Sequence, residues 1–181
     1  VFSEEMEVAV QRRHAIDTAL RAALGTNELK LVYQPLVGAK NRKTAAVEAL
    51  MRWTSLELGP VPPSEFIPVA EKTGMIIELG RFAMRRAFTD LKEMSGIDLT
   101  FNVSPVQIKH PHFINDVREI LAETGADPRR IEIEITETVL MEESDRLRHI
   151  LLDLKDIGFR IALDDFGTGY SSLGYLQSFA F

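Results

Sequence analysis

The chain has 181 residues, 45% hydrophobic and 27% charged, the balance of one ordinary globular core. The absence of cysteine excludes disulfides and Cys-ligated zinc and fits a cytoplasmic domain. A formal net charge of −6 argues against a nucleic-acid backbone, so neither DNA nor RNA is an expected partner, while a small phosphate ligand met by metals and a few cations stays open.

No apolar run has the length of a membrane span, and no signal-peptide pattern opens the chain. Val1 stands where a starting Met would, and Ser178 to Phe181 ends inside an apolar run without a turn or cap. The sequence is therefore expected to belong to a longer protein.

Ser3 followed by Glu4 and Glu5 suits a helix N-terminus, and Ile16, Leu20 and Leu24 make one apolar face. The spacing predicts a helix over Ser3 to Leu24, ended by Gly25. Residues 1–25 read as a packing or linker helix and 26–181 as the domain proper. Leu31 to Gln34, closed by Pro35, and Thr44 to Trp53 are strand candidates. The loop between them is too short for a crossover helix, so they should pair antiparallel. Pro60 to Pro63 reads as a rigid turn. Ser64 is placed to cap a short helix that runs to Thr73 and stops at Gly74. A longer helix is expected over Ile76 to Met94, with Ala83, Ala87, Phe88 and Leu91 in its apolar stripe and Gly96 as its stop.

A repeat follows. Leu99 to Val103 is a strand, Pro105 to Gly125 holds a helix that includes Phe113, Val117, Ile120 and Leu121, Ile131 to Thr136 is a strand, Ser144 to Ile157 a helix, and Arg160 to Asp164 a strand. A strand plus helix every ~30 residues marks βαβ units and a parallel sheet. That leaves an open doubly wound sheet or a (β/α) barrel; a barrel needs eight strands and about 250 residues, and about five candidates are visible.

The strand faces carry the chemistry. In Ile131-Glu132-Ile133-Glu134-Ile135, the isoleucines share one face and the glutamates the other. The same alternation turns Asn102 away from Phe101 and Val103, Glu48 away from Val47 and Ala49, and Asp164 away from Ile161 and Leu163, with Asp165 beside it. If helices cover the apolar faces, Glu48, Asn102, Glu134, Asp164 and Asp165 converge at the carboxyl ends of the strands, where barrels place their active sites. So many acids repel one another without a cation. An all-oxygen set favours Mg²⁺, Mn²⁺ or Ca²⁺ over zinc or copper, and its size suggests two ions, an arrangement suited to hydrolysis at phosphorus. His110 and His112 flank Pro111 in a loop and are not read as ligands.

These residues fall in an ordered set of strings. YQPLV, VEALMRW, PSEFIPVAEKTG, FNVSP, EIEITET and LDDFGTGYSSL run from Tyr33 to Leu173. The set resembles the EAL domain, the bacterial cyclic di-GMP phosphodiesterase, whose signature is Glu48-Ala49-Leu50. The resemblance implies a TIM-like (β/α)8 barrel with an antiparallel first strand, incomplete in the sequence as given. It implies that Glu48, Asn102, Glu134 and Asp164 are metal ligands, with Asp165 beside or between two Mg²⁺ or Mn²⁺ ions; inhibition by Ca²⁺ is expected. Glu48, Asp164 and Asp165 are the implied catalytic acids. Gln34, Leu50 and Arg52 match substrate-binding positions, and a guanidinium near a phosphate or guanine is physically sensible. Glu137 matches the residue that anchors the DDFGTGYSSL loop, and that loop implies a homodimer. The implied reaction hydrolyses cyclic di-GMP to linear pGpG.

Family members also carry a lysine and a glutamate on later strands. Both would lie beyond Phe181, so a polypeptide ending there is expected to be inactive. The alternative is an inactive EAL domain serving as a cyclic di-GMP receptor or protein-interaction module. Such members usually lose an acid of the EAL triplet or the Asp-Asp pair, and here those acids are intact. An upstream sensor or GGDEF-type domain, and membrane tethering through a further segment, are expectations for the parent protein.

Overall fold

The computed structural model describes residues 4–38, 43–136, 139 and 145–164. Along them run α1 (Glu4–Ala23), β1 (Leu29–Val37), β2 (Thr44–Ser55), β3 (Gly59–Val61), α2 (Pro63–Thr73) and α3 (Ile76–Leu91). Then come β4 (Asp98–Asn102), α4 (Pro105–Ile108), α5 (Phe113–Thr124), β5 (Ile131–Thr136), α6 (Asp145–Ile157) and β6 (Arg160–Asp164).

The strands form one sheet in the order β1-β2-β4-β5-β6, with β3 paired to β2. β1 and β2 are antiparallel, as their short connection requires. From β2 onward the neighbours β4, β5 and β6 are parallel, each reached through a helical crossover.

Strand alternation decides what the helices cover. Val47 and Ala49 of β2, Leu99 and Phe101 of β4 and Ile131, Ile133 and Ile135 of β5 are buried in one core with Ala83 and Phe88 of α3, Val117 and Ile120 of α5 and Leu151 and Leu154 of α6. Full burial of such a side chain contributes about 1.5–3 kcal/mol. A second cluster joins Ile16 and Leu20 of α1 to Trp53, Val61 and Phe66. Trp53 and Phe66 meet edge-on, with centroids 5.7 Å apart. The expected apolar face of the first helix thus packs on α2 and on the end of β2.

Two local expectations are corrected. Pro60 to Pro63 is not simply a turn, because Gly59–Val61 forms β3, pairing Trp53 with Val61 and Thr54 with Pro60. The Thr54 N–H donates to Glu28 O at 3.0 Å on the opposite edge, so Pro60 faces it where no N–H is needed. Ser64 does not cap α2. Pro62 holds the N-cap position without a side-chain bond, and its carbonyl accepts from Glu65 and Phe66 at 2.9 and 3.2 Å. Pro63 at N1 brings a preset φ, which substitutes for a polar cap. Pro105 to Gly125 holds the expected helix as α5, which carries Phe113, Val117, Ile120 and Leu121, and adds the short α4 before it; the two part at Pro111, which can neither donate nor continue a helix.

Candidate functional site

The face opposite the helices carries the polar residues. Register sorts them into tiers. Gln34 of β1 lies opposite Glu48 of β2, and Glu48 is level with Thr100, Glu132 and Arg160 on the three parallel strands. One tier toward the carboxyl ends, Asn102 is level with Glu134, and Glu134 with Ala162. One tier further, Thr136 is level with Asp164.

Arg160 divides this face electrostatically. Its Nη2 lies 2.8 Å from Asp98 Oδ2 and its Nε 3.7 Å from Glu132 Oε2, so acids near the amino ends meet a cation. Towards the carboxyl ends the neighbours are acids and an amide. The Asn102 Nδ2 donates to Glu48 Oε1 at 2.7 Å, bridging two tiers. Partial burial pushes the Glu134 carboxyl up to about 7, and the charges of Glu48, Asp164 and Glu132 add to the shift. The four candidates from separate strands therefore share one electrostatic neighbourhood.

Among the described residues, no group of three or more His, Asp or Glu side chains is closed into a metal cage. The donor chemistry nevertheless fits a hard divalent cation: Glu48, Asn102, Glu134 and Asp164 offer only oxygen, on one face. Burial raises Glu134 first, and the repulsion from Glu48, Asp164 and Glu132 that adds to it is what a cation would relieve. With Nδ2 engaged on Glu48, the Oδ1 of Asn102 is the atom left to meet a metal. Asp165 and Glu137 lie outside the described residues, as does the DDFGTGYSSL segment beyond Asp164.

Glu48, Leu50 and Arg52 alternate on the same face of β2. A pocket of about 300 Å³ opens where β2 parts from β4 and takes in Leu50, Arg52, Asn102 and Glu134. Arg52 Nη1 donates to Met51 O at 2.9 Å. Gln34, Glu48 and Asp164 do not line this pocket, so the structure brings the expected substrate residues only partly together. A groove of about 750 Å³ lies apart from the strand ends, between α1 and α2.

Glu71, Ser104, Gln107 and Thr136, to which the sequence pattern assigns no role in the site, also line the smaller pocket. A signal for two of them was available: Ser104-Pro105-Val106-Gln107 is a capping box with Pro at N1.

Comparisons with known proteins agree with the motif set. The family model described as the EAL domain matches residues 17–181. An uncharacterized signaling protein of Caulobacter vibrioides is 42% identical over 99% of this chain and 22% of its own length. The cyclic di-GMP phosphodiesterase PA2567 of Pseudomonas aeruginosa is 34% identical over 97% of this chain and 31% of its own length. The structure of the PaMucR phosphodiesterase in complex with c-di-GMP superposes with a TM-score of 0.85 at 35% identity, over 91% of this chain and 69% of that one. This chain thus spans less than a third of these two curated relatives. Its mixed sheet with an antiparallel first strand is that of the TIM-like barrel these domains share. Together the ordered motifs, the barrel sheet and the family match show that this chain belongs to the EAL domain family.

Proposed function

We propose that this domain hydrolyses cyclic di-GMP to linear pGpG with the help of two divalent ions, Mg²⁺ or Mn²⁺. The observation that carries the reading is the arrangement of Glu48, Asn102, Glu134 and Asp164 on one face, in adjacent tiers, with Glu134 raised by burial and further by its acidic neighbours. The c-di-GMP complex of a 35% identical phosphodiesterase supports the choice of ligand.

Glu48, Asn102, Glu134 and Asp164 would hold the ions, with Asp165 beside them. Bound divalent cations supply a nucleophilic water at neutral pH and neutralise charge on the phosphoryl oxygens. Arg52 is on the face of Glu48 and meets the phosphate or guanine of the substrate, a task suited to a planar guanidinium. Gln34, opposite Glu48, and Leu50 flank the same ligand. Water adds to one phosphorus, the bond to the 3′ oxygen breaks, and that oxygen takes a proton. One ring phosphodiester opens, leaving a 5′ phosphate.

The reading extends to a homodimer formed through the DDFGTGYSSL segment with Glu137 as its anchor, to inhibition by Ca²⁺, and to a cytoplasmic location. The greater length of the relatives supports further domains in the parent protein, with α1 leading towards an upstream sensor or GGDEF-type module.

The test is product analysis on the full-length protein with cyclic di-GMP and Mg²⁺ or Mn²⁺. The expected result is pGpG that forms with metal, is suppressed by EDTA or Ca²⁺, and is lost in Glu48→Gln and Asp164→Asn. Tight nucleotide binding without pGpG over hours would overturn the hydrolase reading in favour of a receptor.

A further inference from the structure

We propose that Glu71 of α2 is a positioning residue for Asn102, acting through the hydroxyl of Ser104. The proposal rests on the reading of Asn102 as a metal ligand, but its geometry stands on other residues. Glu71 belongs to the run Ala70-Glu71-Lys72-Thr73-Gly74, to which the site reading assigns no task.

Asn102 is the last residue of β4, and an amide at a strand end is oriented only as well as the backbone after it. That backbone is held at every step. The Val103 N–H donates to Glu134 O at 2.9 Å, continuing the β4–β5 ladder past Asn102. Ser104 then uses all its polar groups. Its N–H donates to Gln107 Oε1 at 3.2 Å, its Oγ accepts from Val106 N at 3.1 Å, and its hydroxyl proton goes to Glu71 Oε1 at 2.6 Å. A hydrogen bond onto a carboxylate is among the stronger kinds. Gln107 is buried and lies against Gly80 of α3, where a Cβ would overlap its carboxamide.

Two helices therefore grip the segment after Asn102 from outside the sheet: α2 through Glu71 and α3 through the Gly80–Gln107 contact. The grip holds the Asn102 amide where its Nδ2 reaches Glu48 Oε1, with Oδ1 left for a cation. Glu71 and Ser104 also line the pocket that takes in Asn102 and Glu134, so the link sits at the site. Partners behind a metal ligand typically set metal affinity by 10- to 100-fold.

The test uses full-length protein labelled with ¹⁵N at asparagine. The Asn102 side-chain amide signal is identified as the one lost in Asn102→Asp, and Mg²⁺ is titrated in the absence of nucleotide. Glu71→Ala is expected to shift that signal and weaken Mg²⁺ binding by about 10- to 100-fold. Glu71→Gln keeps an acceptor for the Ser104 hydroxyl and should restore both. Ser104→Ala should reproduce Glu71→Ala, and the double variant should be no worse than either. An unmoved Asn102 signal in a folded Glu71→Ala protein would overturn the proposal, as would a Glu71→Gln variant that behaves like Glu71→Ala. If Glu71→Ala moves the signal but the unmodified protein binds no Mg²⁺, the positioning role survives and the phosphodiesterase reading falls.

Discussion

Arg160 Nη2 lies 2.8 Å from Asp98 Oδ2, a pair that joins two strands that are not neighbours across the inward face of the sheet. With Glu132 also within reach, the guanidinium balances acids near the amino ends of the strands. Arg160→Met would leave Asp98 and Glu132 uncompensated. All three side chains are partly exposed, so the expected loss is modest, about 1 kcal/mol, and should shrink in about 1 M salt. Urea unfolding at low and high salt measures it; an unchanged low-salt midpoint would count against a stabilising role.

Glu134 makes metal-free stability depend on pH. Its folded carboxyl is raised from 4.5 to about 7, by burial first and then by Glu48, Asp164 and Glu132. The folded state thus keeps a proton that the unfolded chain has released. The contribution is full below pH 4.5, declines as pH rises, and is lost once pH passes about 7. Solvent screening of this partly exposed group reduces its size. Thermal unfolding in EDTA should give a lower midpoint at pH 8 than at pH 5.5, with the difference reduced in Glu134→Gln. An equal pH dependence in both proteins would refute the assignment.

Tyr33 fastens β1 to α3. Its hydroxyl donates to Asp90 Oδ2 at 2.7 Å, and Arg86 Nε donates to the same oxygen at 3.0 Å. Burial, then the hydrogen bond and charge of Asp90, hold the phenol above the ordinary tyrosine range, while Arg86 works the other way. A raised phenol stabilises the fold below its unfolded pKa, near 10, and loses that contribution as pH rises through the folded value. Tyr33→Phe should cost about 1 kcal/mol near neutral pH. Alkaline difference spectra should show one fewer late-titrating tyrosine in the variant; identical titrations would exclude the bond.

Gly80→Ala tests packing of α3 against the loop after β4. The position lies inside a helix, where alanine is otherwise favoured, yet a Cβ there meets the Gln107 carboxamide. The expected result is a loss of about 1–3 kcal/mol from overpacking. Adding Gln107→Ala should relieve part of it, so that the double variant costs less than the sum of the singles. Strict additivity in denaturant unfolding would show that the two residues do not press on each other.

Much of the site is legible because strands alternate. Ile131, Ile133 and Ile135 against Glu132 and Glu134 states which side of β5 meets the helices, and the structure buries those isoleucines. The same reading of β2 and β4 placed Glu48 and Asn102 on the opposite face. What alternation cannot supply is height along the barrel. It treats Glu132 and Glu134 alike, yet Glu132 lies beside Arg160 and Glu134 does not. It is silent on Glu71, whose partner Ser104 is 33 residues away in the chain. Serine favours cap positions, which makes Ser64 a natural candidate, but Pro62 and Pro63 set the backbone that a cap would otherwise stabilise.

Residue type and period by themselves determined the βαβ order, the antiparallel first pair, the inward face and the oxygen-bearing side chains on it. Each is a local property, set by side-chain direction or by the reach of a short loop. Only the tertiary structure decided that Glu48 stands one tier below Glu134 and still meets Asn102, that Arg160 neutralises the amino-end acids, and that α2 and α3 grip the loop behind Asn102. Those outcomes depend on register and on contacts between residues far apart in sequence, which no local preference encodes.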